Sequence, residues 1–267
     1  MNWLDASRAF EVLLGWSLLL QSIEQLRVQT LDRVGDWTIQ RAEVPSRPRW
    51  GRPLLDAAFE PAAYRAMLVL RAGLAVLLMA GHLPAAGAVV LFVMALLLLF
   101  RWRGAFNGGS DFMTLITVTG LLIAQLVGLA ADAGTGWSVA LAYIGLQTVS
   151  SYFVSGWVKL KRPEWRNGQA LTVFLNSGLY GPLASDSVFR RPRVALCCSW
   201  AFILWEGLFP LALLSPAWVG LFVAVALVFH FLVFWFFGLN RFFWAWAVNL
   251  SSIFFLSHWL SFGAMYS

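Results

Sequence analysis

The runs AVVLFVMALLLLF, at 88–100, and LFVAVALVFHFLVFWFF, at 221–237, are apolar on every face and hold no Asp, Glu, Lys or Arg. A strand of a membrane barrel alternates polar and apolar residues over about ten positions, so runs of this kind read as helices in hydrocarbon. Further apolar stretches approach the roughly 18 to 20 residues that span a bilayer core, with short polar connections between them. With 60% hydrophobic residues, 12% charged residues and a mean hydropathy of +0.73, the composition excludes a water-soluble domain. The expected fold class is all-α, a polytopic transmembrane helical bundle forming one domain over 1–267.

Eight helices are expected, at about 8–27, 66–82, 85–102, 112–130, 138–160, 194–214, 217–238 and 241–262. The first has no basic cluster before it and no A-x-A-like site after it, and reads as a spanning helix, not a cleaved signal. Lys and Arg alternate strictly between the connections. Arg33, Arg41, Arg47, Arg49, Arg52 and Arg65 occupy one, Arg101 and Arg103 the next, Lys161 to Arg193 a third and Arg241 the last, whereas GHLPAAG, ADAGTG and LSPA contain none. Basic loops face the cytoplasm, which puts both termini outside a cell inner membrane. The net charge of +6 then matches anionic lipid in the bilayer, and nucleic acid is not an expected partner. Within the third basic loop, RNGQALTVFLNSGLYGPL contains a short amphipathic stretch suited to the membrane surface. Cys197 and Cys198 are the only thiols and read as small apolar packing residues.

Ionisable and amide side chains inside hydrocarbon face the bundle interior and are the site candidates. Ser17, Gln21 and Glu24 share one face of the first helix, where they can bond to other helices or, for Glu24, pair with Arg27. Glu206 in AFILWEGLFPLAL reads as mid-depth, one turn before a kinking Pro210, with His230 and Asn249 at comparable depth in the next two helices. The three suggest either a polar pocket or a structural hydrogen-bond cluster. One His, one acid and one amide lack a second strong ligand, so no metal is expected. In RWRGAFNGGSDFMTL, Asn107, Gly108 and Gly109 make a turn and Ser110 or Asp111 can cap the following helix.

The stretch SSYFVSGWVKLKRPEWRNG ends an apolar helix on Lys159. Gln147, Ser151, Ser155 and Lys159 recur every four residues, so one face is polar from mid-membrane to the inner boundary, with Tyr152 beside it. A terminal lysine commonly snorkels to the headgroups. An amine held out of water at the end of such a stripe is instead disfavoured in its charged form, and so becomes a usable base.

Tyr152, Phe153, Ser155, Gly156, Lys159, Leu160, Trp165 and Gly168 together resemble the helix-loop signature of the horizontally transferred transmembrane (HTTM) family, the vitamin K-dependent gamma-carboxylase superfamily. FNGGSD and VFHFLVF with GLNRFFWAW also look like HTTM elements, and the likeness runs from about 65 to 260. It implies that Lys159 is a general base toward a reduced, vitamin K-like quinone. Asn107, Asp111, Tyr152, Ser155, Trp165, Glu206 and His230 would then shape the cavity, with a peptide, small protein or lipid as substrate. The family's histidine in the FNGGSD turn has Gly109 or a neighbour in its place, and the size is that of the short bacterial members. The alternative is a non-catalytic membrane accessory for peptide maturation or export, in which close helix approach at Gly156 is the functional feature.

Overall fold

The computed structural model describes residues 2–29, 37, 41, 51–102, 109–177 and 182–263. All regular structure among these is helical. The helices are α1 (Trp3–Val28), α2 (Arg52–Ala58), α3 (Pro61–Met79), α4 (Ala85–Trp102), α5 (Ser110–Ala130), α6 (Ala133–Lys161), α7 (Pro163–Arg166), α8 (Gln169–Asn176), α9 (Pro192–Gly207), α10 (Pro216–Phe237) and α11 (Asn240–Gly263), with 3-10 turns at Val188–Arg190 and Phe209–Leu214.

Each expected segment is occupied by helix, and several begin earlier than hydropathy alone suggests because polar caps start them. The side chain of Asn2 accepts from the Asp5 amide at 2.9 Å, that of Glu60 from Ala62 and Ala63 at 3.0 and 3.1 Å, and that of Asp132 from Thr135 at 3.0 Å. Such caps satisfy amides that have no partner within the helix. Two details differ from expectation. Neither Ser110 nor Asp111 caps α5; Gly109 does, at φ 101°, with no side-chain bond. The segment 194–214 is not one helix either, since α9 stops at Gly207 and a 3-10 turn carries on. Pro210 has no N–H to give the Glu206 carbonyl and its ring crowds that position, which ends α-helical winding there.

Among the described residues four helices, α3, α4, α5 and α10, are long and apolar enough to cross a membrane. The remaining long helices are less apolar, and three of them, α1, α6 and α11, pack in the middle of the bundle. α6 packs against α1, α5, α9 and α11; α1 lies against α3 and α11, and α10 against α11. The polar content of α1, α6, α9 and α11 is thus turned onto other helices. Among the described residues three buried clusters anchor the bundle, two of them built around α6. Phe10, Leu14, Leu121, Ala140 and Ile144 join α1, α5 and α6, while Tyr152, Phe209, Val223 and Ile253 join α6, α10, α11 and the 3-10 turn. Lipid is as apolar as leucine, so close backbone approach and buried hydrogen bonds supply the specificity. At the α6–α9 crossing a methyl on Gly156 would fall on the backbone of Glu206 and Gly207. Only glycine permits that approach.

This crossing sets the register of the site. Glu206, the penultimate residue of α9, lies level with Lys159 near the last turn of α6. The earlier part of α9 runs past the end of α6 beside α7 and α8, where Ser199 donates to the Trp165 carbonyl and the Trp200 indole to that of Arg166 at 3.1 Å. Glu206 is therefore at the same end of the bundle as Lys159 and not at mid-depth.

Candidate functional site

Lys159 Nζ lies 2.5 Å from Glu206 Oε2 and donates to Ser155 Oγ at 2.6 Å. The ammonium also sits over the Trp165 ring, 5.1 Å from its centre. Both partners are largely withdrawn from the surface, with side-chain exposures of 16% for Lys159 and 4% for Glu206. Ser155 stands one helical turn before Lys159, so its hydroxyl fixes the amine without another element being needed. A lysine that snorkels reaches for solvent. This one is turned back onto α9.

One turn further along α6, the Tyr152 hydroxyl lies 2.6 Å from His230 Nε2 of α10. Both residues are buried, and flat rings hold them. Tyr152 stacks on Phe209 at 4.0 Å and 16°, and His230 stacks on Trp246 at 4.8 Å and 20°. Trp205 completes this wall, 5.1 Å from the Tyr152 ring.

Between the two pairs is a cavity of about 380 Å³. Lys159, Glu206, Tyr152, Ser155 and His230 line it, with Phe112, Met113, Phe229 and Trp246 as apolar walls and Gly109 at one edge. A groove of about 650 Å³ runs along the other side of α6, between Gln147, Ser150, Val154, Val158, Trp165 and Phe174. Ser151, Ser155 and Lys159 line both, so the polar stripe is the shared wall and Lys159 the point where the two spaces meet.

Of the residues expected at the site, Lys159, Ser155, Tyr152, Glu206 and His230 come together. Trp165 borders the groove and covers Lys159 from outside. Asp111 is turned away from the cavity to Arg241, 3.9 Å off, while its neighbours Gly109 and Phe112 line the cavity. Asn107 lies outside the described residues. Asn249 does not share the pocket of Glu206 and His230; it donates to the Ala245 carbonyl at 2.6 Å and receives the Thr117 hydroxyl at 3.4 Å.

Beside the cavity lies a polar network that the charge pattern did not disclose. Arg71 of α3 is 1% exposed and donates to Gln21 Oε1 at 2.9 Å and Ser22 Oγ at 3.4 Å. Gln21 donates onward to Ser17 at 3.0 Å and Thr114 at 3.1 Å. Glu24 pairs with Arg241 at 3.2 Å and receives Asn240 at 2.6 Å. The face of α1 expected to bond between helices does so. A lone cation within the run MLVLRAGLAVLLM was the available signal for Arg71, because a charge amid apolar residues must find buried partners. The aromatic walls Phe112, Phe229 and Trp246, and the rings of Phe209 and Trp205 behind Tyr152, had no such signal in a sequence with 15 Trp and 22 Phe.

No family model, curated protein or solved structure matches the chain. Of the residues read as a helix-loop signature, Tyr152, Ser155, Gly156 and Lys159 lie at the cavity or at the crossing that shapes it.

Proposed function

We propose that this chain is a multi-pass inner-membrane protein of HTTM type, crossing the bilayer eight times with both termini outside, and that it is a quinone-dependent membrane enzyme using Lys159 as base. The observation that carries the reading is a lysine seated on a buried carboxylate in a cavity that a Tyr–His pair also lines. A cavity of about 380 Å³ with ring-lined walls and a buried His230 Nδ1 that has no partner fits a flat, hydrogen-bonding cofactor. A reduced quinone supplies, when bound, an acidic ring hydroxyl and two electrons.

The chain's own part is proton handling. Lys159 and Glu206 share a proton that can rest on nitrogen or on oxygen. With the proton on the carboxyl, the amine is neutral and can accept one from the ligand; the resulting ammonium is then held by Ser155 and the Trp165 face. The rings exclude water, which strengthens each of these interactions. Lys159→Arg keeps the charge and removes the usable base. With dioxygen as the two-electron oxidant of the deprotonated hydroquinone, oxygen consumption by purified protein given a reduced naphthoquinone is expected to fall about a hundredfold in this variant at equal membrane abundance; equal consumption by wild type and variant contradicts the base role.

A second reading draws on the groove beside the cavity: a non-catalytic accessory that seats a partner segment along α6 for peptide maturation or export. Under it Lys159→Arg retains function and enlargement of Gly156 destroys it.

A further inference from the structure

The end of the cavity away from Lys159 has chemistry that the base does not use. His230 is 1% exposed and lines the cavity. Its Nε2 meets the Tyr152 hydroxyl, yet its Nδ1 has no hydrogen-bond partner. Buried polar atoms are nearly always paired, so a bare nitrogen on a cavity wall points to a group that pairs with it when the cavity is filled. The walls at this end are flat: Tyr152 on Phe209, His230 on Trp246. Tyr152 and Lys159 are seven residues apart on α6, which is two turns and about 10 Å along the axis. His230 is held at the Tyr152 hydroxyl, so the two polar groups stand at different levels of one cavity, where a ring with an oxygen at each end can meet both.

Resting on the cofactor reading above, we infer that the cavity takes a planar aromatic ligand with oxygens at opposed ring positions, one at Lys159 and Glu206 and the other at His230 Nδ1. The Tyr152–His230 pair makes that second contact in either state of the ligand. No carboxylate touches His230 and rings surround it, so it is held as the neutral imidazole, an unpaired charge being costly there. A neutral imidazole has two forms. When the Tyr152 hydroxyl donates to Nε2, the proton is on Nδ1, which donates to a ligand carbonyl. When the proton is on Nε2 and donates to the Tyr152 oxygen, Nδ1 is bare and accepts from a ligand hydroxyl. Neither form changes the charge of the pair. A site of this kind holds the oxidised and reduced ligand alike, as a cofactor retained through a cycle requires.

Tryptophan-fluorescence titration of the full chain in nanodiscs tests this, since Trp246 and Trp205 flank the site. The probes are 1,4-naphthoquinone, 1,4-naphthohydroquinone and 1-naphthol, which lacks the second oxygen. Wild type is expected to bind both two-oxygen probes about tenfold more tightly than 1-naphthol, and His230→Leu to abolish that preference. The wild-type comparison needs no variant to fold. Equal affinity for all three probes, or a preference that survives in His230→Leu, overturns the two-ended site while the cofactor reading stands. Absence of saturable binding by any probe overturns both.

Discussion

Lys159 and Glu206 stabilise each other only as a pair. Removing Lys159 leaves a carboxylate at 4% exposure with no cation, and breaking a buried pair from one side costs about 3 kcal/mol or more. Replacing both ends by apolar groups of similar volume removes the two charges together and is often close to neutral. Thermal unfolding in detergent should therefore show Lys159→Met and Glu206→Gln each clearly destabilised and the Lys159→Met, Glu206→Met double variant recovering most of the loss; additive losses would mean the two do not act as a pair. A carboxylate outside the spanning helices behaves differently. At the start of α6, hydrogen bonds from the Thr135 side chain and backbone hold Asp132 below the ordinary carboxylate range. A lowered carboxyl adds stability that is present above its unfolded value and lost as pH falls through its folded one. Amide exchange at Thr135, corrected for intrinsic rate, is expected to rise on acidification in that range and to be pH-insensitive in Asp132→Ala. The sequence disclosed these residues unequally. Lys159, Glu206 and His230 stand out as polar groups in apolar surroundings, whereas the ring walls are indistinguishable from dozens of other apolar side chains until the helices are packed.

At the scale of elements, the α6–α9 crossing decides whether the site exists. Gly156 has no room for a methyl because the backbone of Gly207 occupies the place, yet a methyl on Gly207 meets nothing within 4 Å. Gly156→Val should cost at least about 2 kcal/mol by driving the two helices apart, and it should weaken quinone binding with it. Gly207→Ala should be tolerated in both respects. Loss of folding in both variants, measured by the fraction of monodisperse protein after extraction, would refute the assignment of close approach to Gly156 alone. Helix positions were legible because long apolar runs are separated by short polar connections, whereas the caps Glu60 and Asp132 start α3 and α6 several residues before those runs begin. The axial offset of α9 was not. It follows from where the α7–α8 turn packs against α9, a contact between segments some thirty residues apart that no local pattern contains.

At the scale of the molecule, polar content marks the helices that meet the most neighbours. The most apolar helices, α4 and α10, lie at the edge, and the less apolar α1, α6 and α11 lie inside, where Arg71, Gln21, Glu24, Asn249 and the Tyr152–His230 pair find partners. Composition therefore identified the class of the fold, but among the described residues a hydropathy threshold alone recovers four helices, which include those of His230 and Phe112 and leave out α6 and α9, the helices of Lys159 and Glu206. Thiol labelling checks the proposed topology: in a chain with Cys197 and Cys198 replaced by serine, Asp132→Cys should react with an impermeant reagent from outside intact cells and Arg166→Cys only after permeabilisation. The reverse pattern would invert the bundle. The central claim is that the cavity between Lys159 and His230 holds a quinone, and mass spectrometry of lipids that co-extract with the purified protein tests it most directly. A quinone that accompanies wild type at near-stoichiometric amount and is lost from Lys159→Arg or Glu206→Gln is the predicted result; equal amounts in wild type and both variants, or none in wild type, would contradict it.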